Sequence, residues 1–167
     1  MELIEMMSLP IVQFGVDAYK IQYLTNDLNG DESIASGLIV VPNSGDCSWS
    51  LTTYLHGTVS HKEHVPSRLS NEALVGYYAS AIIGSVVALP DYLGLGDSPG
   101  FHPYVHAETE ASASLDMLRA TREFCENHNI YLNDDIFLFG YSQGGHSTLA
   151  LQKLIEQENA EEFNITS

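Results

Sequence analysis

Alternating apolar and polar positions predict two neighbouring strands near the start of the chain. Residues 11–25 alternate well enough for one strand, and the apolar run at 34–41 predicts a second that stops at Pro42. Asn29 and Gly30 lie between the two, and an Asn-Gly pair is a strong hairpin signal. We therefore expect the two strands to pair in antiparallel fashion.

The rest of the chain alternates short apolar segments with amphipathic ones. Three strands and three helices are predicted, at 49–55, 85–89 and 135–139 for the strands and at 71–81, 107–126 and 143–158 for the helices. Parallel strands need crossover connections, which are usually helices. The pattern therefore predicts an α/β fold, with a mostly parallel sheet, helices on both faces and an antiparallel N-terminal hairpin.

The pattern shows no internal repeat and no linker. The chain has 167 residues, which is enough for one domain with a real core. Residues 161–167 resemble the approach to a sixth strand that has barely begun. We therefore expect residues 1–167 to be the N-terminal part of a single domain, truncated near that strand. Its unpaired sheet edge would favour association with another chain.

Charge and hydropathy exclude some classes of protein. Asp and Glu number 22 against 6 Lys and Arg, a net charge of −16, which argues against nucleic-acid binding because that depends on basic side chains. No apolar run approaches the roughly 18 residues of a membrane-spanning helix. Glu2 and Glu5 occupy the region where a signal peptide is basic, so the protein is either intracellular or begins after its signal.

Cysteine and histidine positions suggest no metal or disulfide framework. Cys125 falls on an apolar helical stripe and is expected to be a buried free thiol, while Cys47 lies in a polar loop. His61 and His64 form an H-x-x-H spacing that could bind a metal, but no third ligand is evident. No metal is therefore predicted.

The segment before the helix at 107–126 is polar and rich in turn formers. His102 and His106 flank Pro103 and are expected at the surface or on the rim of this turn. Glu108 and Glu110 fall in the first turn of the helix, where the helix dipole favours negative charge.

A G-x-S-x-G motif at 140–144 joins the last predicted strand to the last predicted helix. Gly140 and Gly144 lack Cβ atoms and can sit where larger side chains would clash. Such a turn would expose the Ser142 hydroxyl and aim the Gln143 backbone N–H at the position of a developing oxyanion. The alternative is a glycine-rich helix start whose serine only caps the helix.

Four stretches together resemble the α/β-hydrolase superfamily, and within it the bacterial secreted lipases and esterases. They are YLHGT (54–58), VVALPDYLGLGDSPGFHPY (86–104), ASLDMLRATREF (113–124) and GYSQGGH (140–146). The resemblance implies a secreted serine hydrolase that cleaves carboxylic esters, lipid esters included, through an acyl-serine intermediate. It implies no metal and no organic cofactor.

The resemblance also implies roles around Ser142. Thr58, which follows the flexible Gly57, would supply the second oxyanion N–H beside that of Gln143; an ordinary strand-end turn is the alternative. Asp91 would be structural rather than catalytic. Possible pocket residues are His56, Gly57, Tyr92 and Tyr141.

A serine nucleophile needs a histidine base and an orienting acid, and in this fold both follow the serine in the chain. His146 is the only histidine after Ser142, and it lies one turn along the same helix. From there it cannot easily receive the serine proton, so we predict a packing or hydrogen-bonding role for it. The chain is thus expected to carry the nucleophile and oxyanion donors without the triad acid and histidine.

Other functions remain open at this point. The chain could be a non-catalytic fragment, or a half-enzyme that needs a partner chain to supply the missing groups. Serine peptidases and acyltransferases use the same turn. On each reading, the isolated 167-residue chain is expected to hydrolyse esters weakly or not at all.

Overall fold

The computed structural model describes residues 12–43 and 47–166. Its five strands form one mixed sheet in the order β1-β2-β4-β3-β5. The strands are β1 (Gly15–Asn26), β2 (Glu32–Asn43), β3 (Ser48–Leu55), β4 (Ser85–Pro90) and β5 (Tyr131–Gly140). The helices are α1 (Ala73–Tyr78), α2 (Ala107–Asn127) and α3 (Gln143–Glu158). The chain start, with Glu2, Glu5 and the predicted strand residue 11, lies outside the described residues.

The N-terminal hairpin forms as predicted. Strands β1 and β2 pair antiparallel along their whole length, and Gly30 adopts a φ of 82° in the connecting loop. The predicted end of the second strand at Pro42 is wrong, because β2 continues to Asn43. Strand β2 pairs with β4 only over 37–40, so Pro42 lies beyond that ladder and its missing N–H breaks no bond to β4.

The other strands make the parallel part of the sheet. Strand β3 pairs in parallel with β4 on one side and with β5 on the other. Strand β5 begins at Tyr131 rather than at the predicted residue 135. Its early residues pair with the start of β3, before a register shift between Trp49 and Leu51. The polar run at 133–135 hid this part of the strand from the sequence pattern.

Helices cover both faces of the sheet. Apolar side chains of α2 and α3, including Met117, Leu118 and Leu151, pack with Ile39 and Leu51 in the larger core. The predicted bounds of these two helices agree with the structure to within one residue. Among the described residues, no helix is both long and apolar enough to cross a membrane.

The opposite face holds a smaller core against α1. Ala73 of this helix packs with Leu38 and Leu89. The predicted single helix at 71–81 is wrong, because α1 ends at Tyr78 and a π-helical turn, Ala79–Ile83, follows it. Gly84, with a φ of 77°, ends that turn in a conformation that suits glycine.

Strand β5 is bordered by β3 on one edge and by the chain end on the other. Ile165 forms a parallel bridge with Ile136, and the Thr166 N–H donates to the Ile136 carbonyl at 2.9 Å. Residues 165–166 therefore begin to pair with the edge of β5 that faces away from β3.

Both cysteines are free thiols, so the structure contains no bridge between them. Cys125 is buried on α2, and burial raises its thiol pKa to about 12. Cys47 is exposed.

Candidate active site

The turns that follow β3, β4 and β5 meet at one edge of the sheet. We call residues 56–58, 91–98 and 141–143 the rim. Because the three strands are parallel, their carboxyl ends lie together, and ligands of open α/β sheets bind at that edge. The site residues predicted from the sequence lie in the rim or directly behind it.

The chain turns sharply at Ser142. Strand β5 ends at Gly140 and α3 begins at Gln143, so two residues reverse the chain direction. Ser142 adopts φ 57° and ψ −118°, which is a strained conformation for a residue with a Cβ. Its side chain is exposed. The structure thus has the strand, turn and helix that the G-x-S-x-G motif predicted.

The two motif glycines allow the helix and the strand end to touch. A Cβ on Gly144 would lie 2.5 Å from the Leu55 carbonyl carbon and 2.8 Å from the His56 carbonyl oxygen. A Cβ on Gly140 would lie 2.6 Å from Thr148 Oγ1. The start of α3 therefore rests directly on the backbone that ends β3.

This contact brings the end of β3 alongside the serine. A Cβ on Gly57 would lie 3.3 Å from the Tyr141 carbonyl oxygen and 3.6 Å from Ser142 Cβ. Thr58, the next residue, is exposed, and its Oγ1 lies 2.8 Å from the Tyr104 hydroxyl. The loop after β3 thus reaches both the serine turn and the segment before α2.

Two buried rings support this strand end. The Tyr92 hydroxyl donates to the His56 carbonyl at 3.1 Å, and the two rings lie 4.4 Å apart. Both side chains are fully buried, and burial raises the pKa of the Tyr92 hydroxyl. Of the possible pocket residues, these two are therefore buried within the rim, whereas Tyr141 is exposed beside Ser142.

Asp91 ties the rim to two other parts of the chain. Its carboxylate accepts hydrogen bonds from the Ser36 hydroxyl at 2.5 Å and from the Ser67 N–H at 3.0 Å. The residue is completely buried, and burial raises its pKa although both hydrogen bonds oppose that shift. Its surroundings fit the structural role that the resemblance implied.

Glu110 is the residue that the sequence reading missed. The sequence placed it in the first helical turn, where the helix dipole favours negative charge, and assigned it no other role; only 1% of it is exposed. Its Oε1 accepts from the Val105 N–H at 3.0 Å and from Gln143 Nε2 at 2.6 Å. Its Oε2 accepts from the Ser147 hydroxyl at 2.6 Å and lies 2.9 Å from His146 Nδ1.

A sequence signal for this burial did exist. Position 110 lies one turn before Ser114 and two turns before Met117, on the face of α2 that is buried. A carboxylate on the buried stripe of a helix needs donors around it.

Different surroundings distinguish His146, His102 and the pair formed by His61 and His64. His146 contacts Glu110, which agrees with its predicted hydrogen-bonding role. His102 was expected at the surface or on the rim of a turn; it is half-buried and contacts the Leu93 carbonyl and the Gln143 side chain. The His61 and His64 rings lie 4.9 Å apart, and the described residues contain no cluster of three possible metal ligands around them.

The strand order and the helices on both faces define an α/β-hydrolase fold. The model of the secretory lipase family matches residues 74–165, which is more than half of the 167 residues. The chain belongs to the secretory lipase family. No curated protein matches it.

Solved structures agree with this assignment. A Legionella pneumophila protein classed as a hydrolase is 37% identical, with a TM-score of 0.87 over 94% of this chain. The rice cell wall degrading esterase LipA from Xanthomonas oryzae is 30% identical, with a TM-score of 0.85 over 96%. Lipase A from Candida antarctica, at 20% identity and a TM-score of 0.64 over 90% of the chain, shares the fold.

The chain is shorter than these structures. It spans 43% of the Legionella and Xanthomonas proteins and 36% of the Candida lipase.

Proposed function

We propose that the protein carrying this chain hydrolyses carboxylic esters through an acyl-serine intermediate, with Ser142 as nucleophile. The observation that carries the proposal is the strained, exposed serine between β5 and α3, pressed against the end of β3. Strain of this kind persists only where the surroundings enforce it, and it clusters at active sites. Membership of the secretory lipase family supports ester substrates.

In the first step, Ser142 Oγ attacks the ester carbonyl carbon and the carbonyl electron pair moves onto oxygen. A base takes the hydroxyl proton and passes it to the departing alcohol. Water then attacks the acyl-serine and releases the acid. The turn serves this step because it holds the hydroxyl clear of the sheet.

The developing oxyanion needs donors that are already in place. Gln143 is the first residue of α3, so its backbone N–H has no acceptor within the helix, and the positive end of the helix dipole adds to its effect. The Thr58 N–H is the second donor in the proposal, since Gly57 lies directly beside Ser142. Each such donor contributes about 10²–10³-fold in rate.

The base and its acid are proposed to come from outside these residues. His146 sits on the same helix as the nucleophile and its Nδ1 contacts Glu110. Relatives of the same fold are more than twice as long as this chain, so they have room for these groups elsewhere. A partner chain that supplies them is the other form of this proposal.

Hydrolysis of a p-nitrophenyl ester by the complete protein tests the assignment. We expect Ser142→Ala to lower kcat by at least about 10⁴-fold. The control is Ser60→Ala, which removes the hydroxyl of another exposed serine, two residues after Thr58, and should leave kcat unchanged. Retained activity in Ser142→Ala would refute the proposal.

The rate of ester hydrolysis by the isolated 167-residue chain tests whether the chain lacks a catalytic base. We expect it to turn the ester over slowly or not at all. Fast turnover that Ser142→Ala abolishes would show that a base lies within the chain.

A further inference from the structure

The Gln143 side chain is held from two sides in a buried position. Its Nε2 lies 2.6 Å from Glu110 Oε1 and 2.7 Å from His102 Nε2. Only 4% of the residue is exposed, and its Oε1 has no hydrogen-bond partner among the described residues. Both contacts therefore fall on the amide nitrogen.

The proton positions of this group follow from the chemistry of its members. A carboxylate can only accept, so one amide hydrogen points at Glu110. His102 Nδ1 lies 2.8 Å from the Leu93 carbonyl oxygen, which also can only accept, so Nδ1 carries the imidazole hydrogen. His102 Nε2 is then a lone pair, and it accepts the second amide hydrogen.

The amide has one allowed orientation as a result. Exchanging its oxygen and nitrogen would place the oxygen against the Glu110 carboxylate and the His102 lone pair. Glu110 itself is fixed, because Val105, His146 and Ser147 bring three further donors to it. A side chain locked in this way also fixes the backbone of its own residue.

We propose that Glu110, acting through the Gln143 amide and with His102 as second acceptor, positions the Gln143 backbone N–H for the oxyanion. This inference rests on the proposed function, because it assigns that N–H as a donor. Glu110 is a positioning residue and does not touch the substrate. It anchors the start of α3 to the start of α2, so the N–H cannot drift as charge develops on the carbonyl oxygen.

The negative charge of Glu110 strengthens the hydrogen bond that holds the Gln143 amide. The carboxylate accepts on both of its oxygens, whereas a glutamine of the same shape has one acceptor oxygen and no charge. Glu110→Gln therefore weakens the hydrogen bond to the Gln143 amide without leaving a cavity. Glu108 lies two residues earlier on the same helix with 81% of its side chain exposed, and Glu108→Gln is the matched control.

The test compares both variants in the complete protein with a p-nitrophenyl ester and with a phenylboronic acid, which mimics the tetrahedral intermediate. For Glu110→Gln we expect kcat to fall about 10- to 100-fold while KM changes less than about twofold. Affinity for the boronic acid should fall by the same factor as kcat/KM. Glu108→Gln should match wild type in all three.

A second variant keeps the test decisive if Glu110→Gln does not fold. Gln143→Ala removes the amide but keeps the backbone N–H, so it should show the same kcat loss. Where both fold, the double variant should lose little more than either single one, because they remove the same anchor.

Three results would overturn the inference while Ser142→Ala still abolishes activity. They are wild-type kcat in Glu110→Gln, a loss confined to thermal stability, and additive losses in the double variant. Retained activity in Ser142→Ala would instead overturn the proposed function, so the two failures are distinguishable.

Discussion

The rim and the core beneath α2 and α3 are built by different means. The core holds apolar side chains in regular helices and strands, such as Met117 and Leu151, which are fully buried. The rim holds buried polar groups, such as Asp91 and Gln143, and the non-glycine residues Tyr92 and Ser142 at positive φ.

The difference shows how this fold supports a strained site. Apolar packing is non-directional, so it stabilises the sheet without fixing any one atom. Hydrogen bonds to buried carboxylates are directional and fix single groups in place. The rim therefore depends on the geometry of its hydrogen bonds, whereas the core depends on filling its volume with apolar side chains.

The sharpest test of this contrast lies at Gly144. Its added Cβ would strike the backbone of Leu55 and His56, so Gly144→Ala should lower the free energy of unfolding by at least about 3 kcal/mol and abolish ester hydrolysis. Gly145→Ala is the control, since its Cβ would come no closer than 3.9 Å to the Gly140 carbonyl oxygen. It should stabilise α3 by about 0.5–1 kcal/mol. Urea unfolding measures both, and an equal effect would contradict the packing at Gly144.

A core substitution should affect stability and leave the rim intact. Leu151→Ala removes a fully buried side chain and should lower the free energy of unfolding by about 3 kcal/mol. At a temperature where the variant is folded, kcat per folded molecule should stay at the wild-type value. Leu149→Ala, at an exposed position on the same helix, should change neither quantity. A fall in kcat would show that core and rim are coupled.

Removing the Asp91 carboxylate should destabilise the rim at the turn that follows β4. Asp91→Ala leaves the Ser36 hydroxyl and the Ser67 N–H without their acceptor and should cost about 2 kcal/mol. Asp91→Asn keeps one acceptor oxygen and should cost less.

The pH dependence of that cost follows from burial. Because burial raises the Asp91 pKa, its contribution to stability is complete below the ordinary aspartate pKa and declines as pH rises through the raised value. Urea titrations across pH should show this decline in wild type and not in Asp91→Asn.

Asp97 lies in the same loop as Asp91, but its pKa is lowered rather than raised. Its substitution should have the smallest effect on stability. Lys20 and Arg68 each contact its carboxylate at 2.6 Å and lower its pKa. Its contribution is therefore present above the ordinary aspartate pKa and is lost as pH falls through the lowered value. Asp97→Asn should cost about 1 kcal/mol at neutral pH and nothing in strong acid.

Asp17→Asn, an exposed change on the strand that carries Lys20, is the control for Asp97→Asn. A cost for Asp97→Asn that persists in strong acid would contradict the ion-pair explanation.

The predictable parts of this protein are those set by local pattern. Apolar spacing located α2 and α3 to within a residue, and the Asn-Gly pair located the hairpin. The start of strand β5 was missed, because residues 131–132 pair with β3 ahead of a register shift that contains the polar residues 133–135, and the local pattern does not show that partner strand. The π-helical turn after α1 likewise depends on where Gly84 ends it.

The sequence by itself determined the α/β layout and the glycine-flanked Ser142, because hydrophobic periodicity and glycine geometry act between near neighbours in the chain. Only the tertiary structure decided that Glu110, His102 and Gln143 meet. These residues come from three segments, and their contact depends on how α2 and α3 pack together. A buried hydrogen-bond network arises from that packing, since burial is what makes each unpaired polar group costly.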